Sequence, residues 1–214
     1  MTTDSTSRAE RKEMTRRAIL DAALVLSEQG GLSSISLRQV AKEVGIVPTA
    51  FYRHFATIEE LGLALVEESM GSLREMLREA RLGATSENTW RLMVEIADHS
   101  VDTLVRHVPA HAAHFRFIAR ERVAGPPAVR DAVRHQLLLV ESELATDLAR
   151  VPGSEKFSAG DLRVLANLFV SAMVAHADDL ASTERASERT EIAATARKQL
   201  HMVLVGVRSW DSSL

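Results

Sequence analysis

The stretch SLRQVAKEVGIVPTAFYRHF, from Ser36 to Phe55, leaves the chain few ways to fold locally. Ser36 and Gln39 have the S-x-x-Q spacing of a capping box, which predicts a helix from Leu37. Leu37, Val40, Ala41 and Val44 recur at i, i+3, i+4 and i+7 and form one apolar face. Gly45 suits the left-handed residue that ends a helix, and Ile46 is expected to anchor the turn. Pro48 fits the first turn of a second helix, where its missing N–H has no helical partner. That helix is expected to run from Pro48 to about Phe55. Phe51 and Phe55 would face inward, and Thr49, Tyr52, Arg53 and His54 outward. Two short helices about a tight turn, with a polar and cationic second helix, form a helix-turn-helix, a unit that reads the major groove of DNA. The plainer alternative is a helical hairpin in a core, but an exposed Tyr-Arg-His cluster has no packing reason.

Charge distribution favours the DNA reading. The chain carries 26 Lys and Arg against 29 Asp and Glu, a net charge of −3. Residues 1–57 nonetheless sum to about +2 and the remainder to about −5, so a basic front leads an acidic body. The basic arm consists of Arg8, Arg11, Lys12, Arg16 and Arg17, diluted by Glu10 and Glu13. With no cysteine, disulfides and thiolate metal sites are excluded, as suits a reducing cytoplasm. No run approaches the ~18 apolar residues of a membrane span, and the polar start does not read as a signal peptide. A cytoplasmic protein without membrane contact is expected.

Helix periodicity continues to the end, without strand-period segments, repeats or low-complexity tracts. Thr57 and Glu60 cap a fourth helix that reaches about Arg81, roughly 36 Å at ~1.5 Å per residue. Its stripe is Leu61, Leu65, Val66, Met70, Leu73 and Leu77. Gly83 to Ser86 reads as a loop, and Glu87 to His107 as a fifth helix with Trp90, Met93, Val94, Ala97, Val101 and Leu104 inward. Pro109 is expected to start a sixth helix ending near Val123. Gly125-Pro126-Pro127 breaks the chain before a helix from Ala128 to Arg150, which Val151-Pro152-Gly153 stops. Ser158 and Asp161 cap the eighth, with Leu162, Leu165, Ala166, Phe169, Met173 and Leu180 inward. The ninth carries Ile192, Ala196, Leu200, Val203, Val207 and Trp210. The fold class is therefore all-α in two parts, residues 1–56 for the arm and DNA module and residues 57–214 for a helical effector and dimerisation domain.

From Arg17 to Val66 the chain resembles the TetR family of bacterial repressors. The resemblance rests on the Ala-rich first helix, Gly30-Gly31, S-L-R-x-V-A, G-I-x-x-x-x-F-Y-x-H-F and the following E-E-L. PTAFYRHFATIEELGLALVEES and FRFIARERVAGPPAVRDAVRHQ further resemble the branch that regulates unsaturated fatty acid synthesis and desaturation. Such a resemblance implies a homodimeric, non-enzymatic repressor of a palindromic double-stranded DNA operator, with no cofactor, responsive to a small hydrophobic effector such as a long-chain fatty acyl-CoA. It also implies that His54 touches the phosphate backbone. Many relatives place a phosphate-gripping Lys where this chain has Ile58, preceded by Ala56. The backbone amides of the fourth helix and Thr57 would have to replace it.

The remaining site residues follow from their chemistry. Arg38 and Gln39 can reach a base edge or a phosphate. Thr49 and Tyr52 offer hydroxyls to phosphate or contact to a thymine methyl, and Arg53 can take a guanine bidentately. Arg16 and Arg17 add sequence-independent charge. Met70, Leu73, Leu77, Trp90, Met93, Phe115, Phe117, Ile118, Leu138, Phe169 and Met173 can line an effector cavity, since Met-rich walls suit flexible ligands; a plain core is the alternative. Arginine pairs well with phosphate oxygens, so the cluster Arg116, Arg120, Arg122, Arg130 and Arg134 could meet a coenzyme A head group, or be a solvated face. The last two helices are apolar on more than one side: Val170, Ala172, Val174 and Ala175 widen one, and Met202, Leu204 and Val205 the other. A helix apolar on two sides must bury both, either in a deep core or in a four-helix homodimer interface. Two other classes stay open. His99, His107, His111 and His114 are close enough in sequence for a metal-responsive site, although Pro109 interrupts them. A helical enzyme has no support: nucleophile-base pair, phosphate-cradling Gly loop and H-E-x-x-H are all missing.

Overall fold

Nine α-helices make up the described part of the chain, in a computed structural model that describes residues 7–81 and 89–212. They are α1 Arg8–Ser27, α2 Leu37–Val44, α3 Pro48–Phe51, α4 Ile58–Arg81, α5 Thr89–Ala110, α6 Ala112–Ala124, α7 Pro127–Leu148, α8 Ala159–Ser182 and α9 Ala186–Ser209. The described residues contain no strand. The expected Gly83–Ser86 loop and the Glu87 start of the fifth helix lie outside the described residues.

Capping chemistry sets several boundaries. Ser7 and Glu10 cap α1 reciprocally, and Ser36 and Gln39 do the same for α2. Ser158 accepts the Asp161 N–H at the start of α8. Gly45 ends α2 at φ 74°, a left-handed conformation that a side chain would strain. Two expectations need correction. Pro109 does not open a helix; it sits in the last turn of α5, and the break falls two residues later at His111, the cap of α6. A proline close to a helix end removes only one late hydrogen bond, so the turn survives around it. The second correction concerns α3, which closes at Phe51 rather than Phe55. Tyr52 to His54 follow as a tight turn, with Arg53 donating to the Ala50 carbonyl and His54 to that of Phe51.

One contiguous core joins the two halves. It runs from Ile19, Leu24 and Leu32 through Val40, Phe51 and Phe55 to Leu61, Leu65 and Met70, and on to Phe115, Val129, Val133 and Leu180. A smaller cluster of Ala97, Val101, Ala193, Ala196, Leu200 and Leu204 ties α5 to α9. The predicted α4 stripe is buried from Leu61 to Leu73, with Leu77 partly covered. Helix α4 thus belongs to both halves: it packs on α1 of the front module and on α5, α6 and α7 behind it. Trp210 departs from its predicted stripe. It lies beyond the end of α9, 54% exposed, with its indole N–H donated to Asp161. Helix α8 also qualifies the hydropathy reading. It alone among the described helices is long and apolar enough to cross a membrane, with a mean hydropathy of 1.3. Its buried face packs on α6, α7 and α9.

Candidate functional site

Phe51 and Phe55 are sealed in the core, their ring centroids 6.1 Å apart. They fix the roll of α3 and the turn behind it. Thr49, Tyr52 and Arg53 are left exposed on one short projection, and Tyr52 stands edge-on to Phe51. Arg38 and Gln39 are also exposed at the start of α2, although the Gln39 carbonyl oxygen already accepts from Ser36. The outward expectation for His54 is not met. Its ring is half-buried, its Nδ1 has no partner, and its pKa is lowered by burial and by Lys12 and Arg16. A neutral ring offers a phosphate at most one donor.

The arm residues are tied down more than their sequence suggests. The Arg16 guanidinium lies 5.1 Å from the centre of the Phe55 ring, a cation–π contact. Arg17 bridges Asp21 at 3.1 Å and Glu68 of α4 at 2.9 Å. Glu68 needs that neighbour, because burial raises its pKa. Arg8, Arg11 and Lys12 remain exposed along α1. At the start of α4, Thr57 accepts the Glu60 N–H at 3.0 Å, and the Glu60 carboxylate accepts the Ala56 N–H at 2.7 Å. With Glu59 and Glu60 in its first turn, that end is already occupied by carboxylate. The backbone N–H groups of Ile58 and Glu59 and the Thr57 hydroxyl hydrogen are left to offer a phosphate.

Behind this front lies a cavity of about 170 Å³. Leu73, Met76 and Leu77 of α4 form one wall, Met93 and Ala97 of α5 another, and Phe115 and Ile118 of α6 a third. Phe169, Met173 and Val174 of α8 and Leu200 and Leu204 of α9 close it. Ser100 brings its hydroxyl, but that group donates to the Ile96 carbonyl of its own helix. Seven of the expected ligand residues therefore meet here: Leu73, Leu77, Met93, Phe115, Ile118, Phe169 and Met173. Met70 is sealed beneath, Trp90 lines a neighbouring opening, and Phe117 and Arg120 line a separate polar cleft. Leu138 is 59% exposed. Sequence reasoning missed Met76, Val140, Leu144, Leu200 and Leu204; their helical phase was readable, but the convergence of α7 and α9 on α4 was not.

The arginine cluster has structural work of its own. Arg120 donates to the Ser27 and Glu28 carbonyls at the end of α1, at 3.1 and 2.7 Å. Arg116 pairs with the Glu28 carboxylate and reaches the Ala181 carbonyl. Cations at a helix C-terminus neutralise its exposed carbonyls, so these residues fasten α6 to the front module. Arg134 donates to the Arg122 carbonyl at 3.2 Å, and Arg122 is half-buried. Glu121 completes the joint. It is 1% exposed, accepts the Leu32 N–H at 2.9 Å, and has its pKa raised by burial.

The histidines do not converge on a metal. His107 and His111 stack at 4.2 Å, and His114 faces Ser69 at 3.0 Å and Glu68 at 3.6 Å. Among the described residues no group of three or more potential ligands comes together.

The comparisons with known proteins agree with this geometry. The family described as "Bacterial regulatory proteins, tetR family" matches residues 19–65, and "Tetracyclin repressor-like, C-terminal domain" matches residues 93–206. The chain belongs to the TetR family of transcriptional regulators. Its fold is similar to that of Salmonella enterica GusR, with a TM-score of 0.66 and 22% identity over 94% of this chain and 99% of that one. A TetR-like regulator from Rhodococcus sp. RHA1 gives 0.67 and 20% over the same shares. A TetR-family regulator from Syntrophomonas wolfei gives 0.68 and 12% over 90% and 96%. Regulators of this family bind DNA operators and small-molecule effectors and form dimers.

The last two helices of this TetR-family chain also carry an uncovered face. Val164 and Leu168 on α8 are 69% and 46% exposed, and Met202 and Val205 on α9 are 66% and 61% exposed. Val170, Val174 and Leu204, read from sequence as widening these helices, are instead buried against their own chain.

Proposed function

We propose that the chain is a cytoplasmic repressor that binds a palindromic DNA operator as a twofold homodimer. Residues 1–56 form the DNA module and residues 57–214 the effector and dimerisation domain. Thr49, Tyr52 and Arg53 meet base edges and the adjoining phosphates, while Arg38, Gln39, His54 and Thr57 contact the flanking backbone. Arg16 and Arg17 add positive field rather than direct grip, since both are engaged within the fold. Val164, Leu168, Met202 and Val205 pack against their copies in the second subunit, because single short projections contact too few bases and a dimer doubles them.

A small hydrophobic effector in the apolar cavity tunes operator affinity. The observation that carries this reading is the span of α4. Leu73, Met76 and Leu77 wall the cavity, and the same helix begins three residues past Phe55. A ligand that prefers one tilt of α4 shifts the spacing of the paired DNA modules. Such coupling is reciprocal and typically ~1–3 kcal/mol.

The narrower reading is a long-chain fatty acyl-CoA effector and a set of lipid genes. The apolar lining favours an acyl tail. At about 170 Å³ the cavity is below the ~300–1,000 Å³ of most ligand sites, so a long tail must widen it. Arg116 and Arg120 would have to leave α1 to meet phosphates, and drop out of this reading as head-group residues. Unbiased selection of bound genomic fragments tests the regulator reading; failure to enrich any palindrome refutes it. Titrating saturated and unsaturated acyl-CoA into the DNA complex tests the effector, and unchanged affinity with both removes it.

A further inference from the structure

The apolar cavity is not a closed pocket. Met93, Leu148 and Val151 line it and also line a second, wider opening of about 480 Å³ at its far end. Two cavities that share three wall residues from α5, α7 and the loop after α7 are adjoining compartments of one passage. The chemistry of their walls differs. The inner compartment has no charged residue among its described lining. The outer one is rimmed by Lys156 and Arg208, holds the aromatic rings of Trp90 and Phe157, and has no carboxylate among its described lining residues.

Both side chains are held at that rim by contacts that leave them exposed. The Arg208 guanidinium lies 5.6 Å from the centre of the Trp90 ring, and the Lys156 ammonium 5.1 Å from that of Phe157. The Lys156 ammonium also donates to the Arg208 carbonyl at 2.8 Å, which fixes the loop after α7 against the end of α9. Asp161, at the start of α8, does not face them. Its carboxylate accepts from Trp210 at 3.1 Å and from Ser212, and these bonds lower its pKa.

We infer that this passage takes a single-chain amphiphile with an anionic head group. The hydrocarbon tail lies in the inner compartment, and the carboxylate or phosphate sits between Lys156 and Arg208. The assignment rests on the effector reading above and adds the head-group site, which lies away from the α6 arginines. A cation pair beside an apolar tunnel discriminates by charge at the mouth and by chain length inside. Two sources share the chemistry: a free fatty acid, and a thioester on a phosphate-bearing carrier.

The test is calorimetric titration of the full chain with decanoate, 1-decanol and decanoyl-CoA, at low and high salt. Decanoate is expected to bind about tenfold more tightly than decanol at low salt, with the difference shrinking as salt screens the rim. The double variant Lys156→Gln/Arg208→Gln is expected to erase that preference and leave decanol binding unchanged. If the variant does not fold, the salt dependence of the native chain still decides. Tighter binding of decanoyl-CoA than decanoate identifies the phosphate-bearing source, and the reverse identifies the free acid. Equal binding of acid and alcohol with no salt dependence overturns the head-group site while leaving the effector cavity standing. No binding by any of the three overturns the cavity reading as well.

Discussion

Gly62 offers a stringent test of how the two halves are joined. It lies one turn into α4, and a Cβ built on it would stand 2.3 Å from Leu32 Cδ2 and 2.7 Å from Val129 Cγ2. Both neighbours are 0% exposed, so neither can swing into solvent. Replacing a helical glycine with alanine normally gains about 1 kcal/mol of helix propensity. Here the added methyl must push Leu32 back by about an ångström and Val129 by somewhat less to reach normal contact. Overpacking of this kind costs about 1–3 kcal/mol, and two blocked neighbours place Gly62→Ala near the upper end. The expected net result is a loss of about 2 kcal/mol. Gly71, nine residues along the same helix, has nothing within 4 Å of its built Cβ. Gly71→Ala is therefore expected to gain about 1 kcal/mol. Urea unfolding followed by circular dichroism should separate the two midpoints by the equivalent of about 3 kcal/mol at constant m-value. A Gly62→Ala protein at least as stable as the native chain would refute the claim that the short 3-10 turn Leu32–Ser34, α4 and α7 close on this point without slack.

Arg53→Ala is expected to weaken operator binding by about 1–3 kcal/mol per half-site without moving the unfolding midpoint; equal losses on operator and random DNA would show a phosphate contact instead. Met202→Asp with Val205→Asp should yield monomers by light scattering, and an unchanged dimer would exclude that face. Arg17→Ala should destabilise the chain by about 1 kcal/mol at neutral pH, because Glu68 loses its cation. Glu68 has a raised pKa, so this penalty shrinks as acid protonates it, and an effect independent of pH would count against the pairing. His114 has its pKa lowered, by burial first and then by His111 and Arg17. Its neutral form is favoured in the fold, so its contribution is complete above pH 6.5 and is lost as pH falls through the lower folded value. Replacing it by Gln should flatten that decline in denaturation midpoints; the opposing contribution of Glu121 cancels between the two proteins, whereas Glu68, 3.6 Å from His114, is controlled by the same replacement in a Glu68→Gln background.

The local grammar of this chain was readable from residue order alone. The capping box at Ser36, the side-chain caps at Thr57 and Ser158, the left-handed Gly45 and the 3.6-residue stripes report interactions between residues three or four apart, which any helix satisfies by itself. The burial of Phe51 and Phe55 and the exposure of Thr49, Tyr52 and Arg53 follow from the same periodicity. What the arginines do was not readable. A guanidinium on a helix face looks the same whether it awaits phosphate or seals the end of a helix about ninety residues earlier, as Arg116 and Arg120 do at Glu28. Periodicity could also name the apolar walls of a cavity but not separate them from a solid core. Only the angles at which α4, α5, α8 and α9 cross decide whether Leu77, Met93, Phe169 and Leu204 meet or leave a gap. Contacts between distant residues depend on how whole helices dock, and that docking is a property of the assembled core.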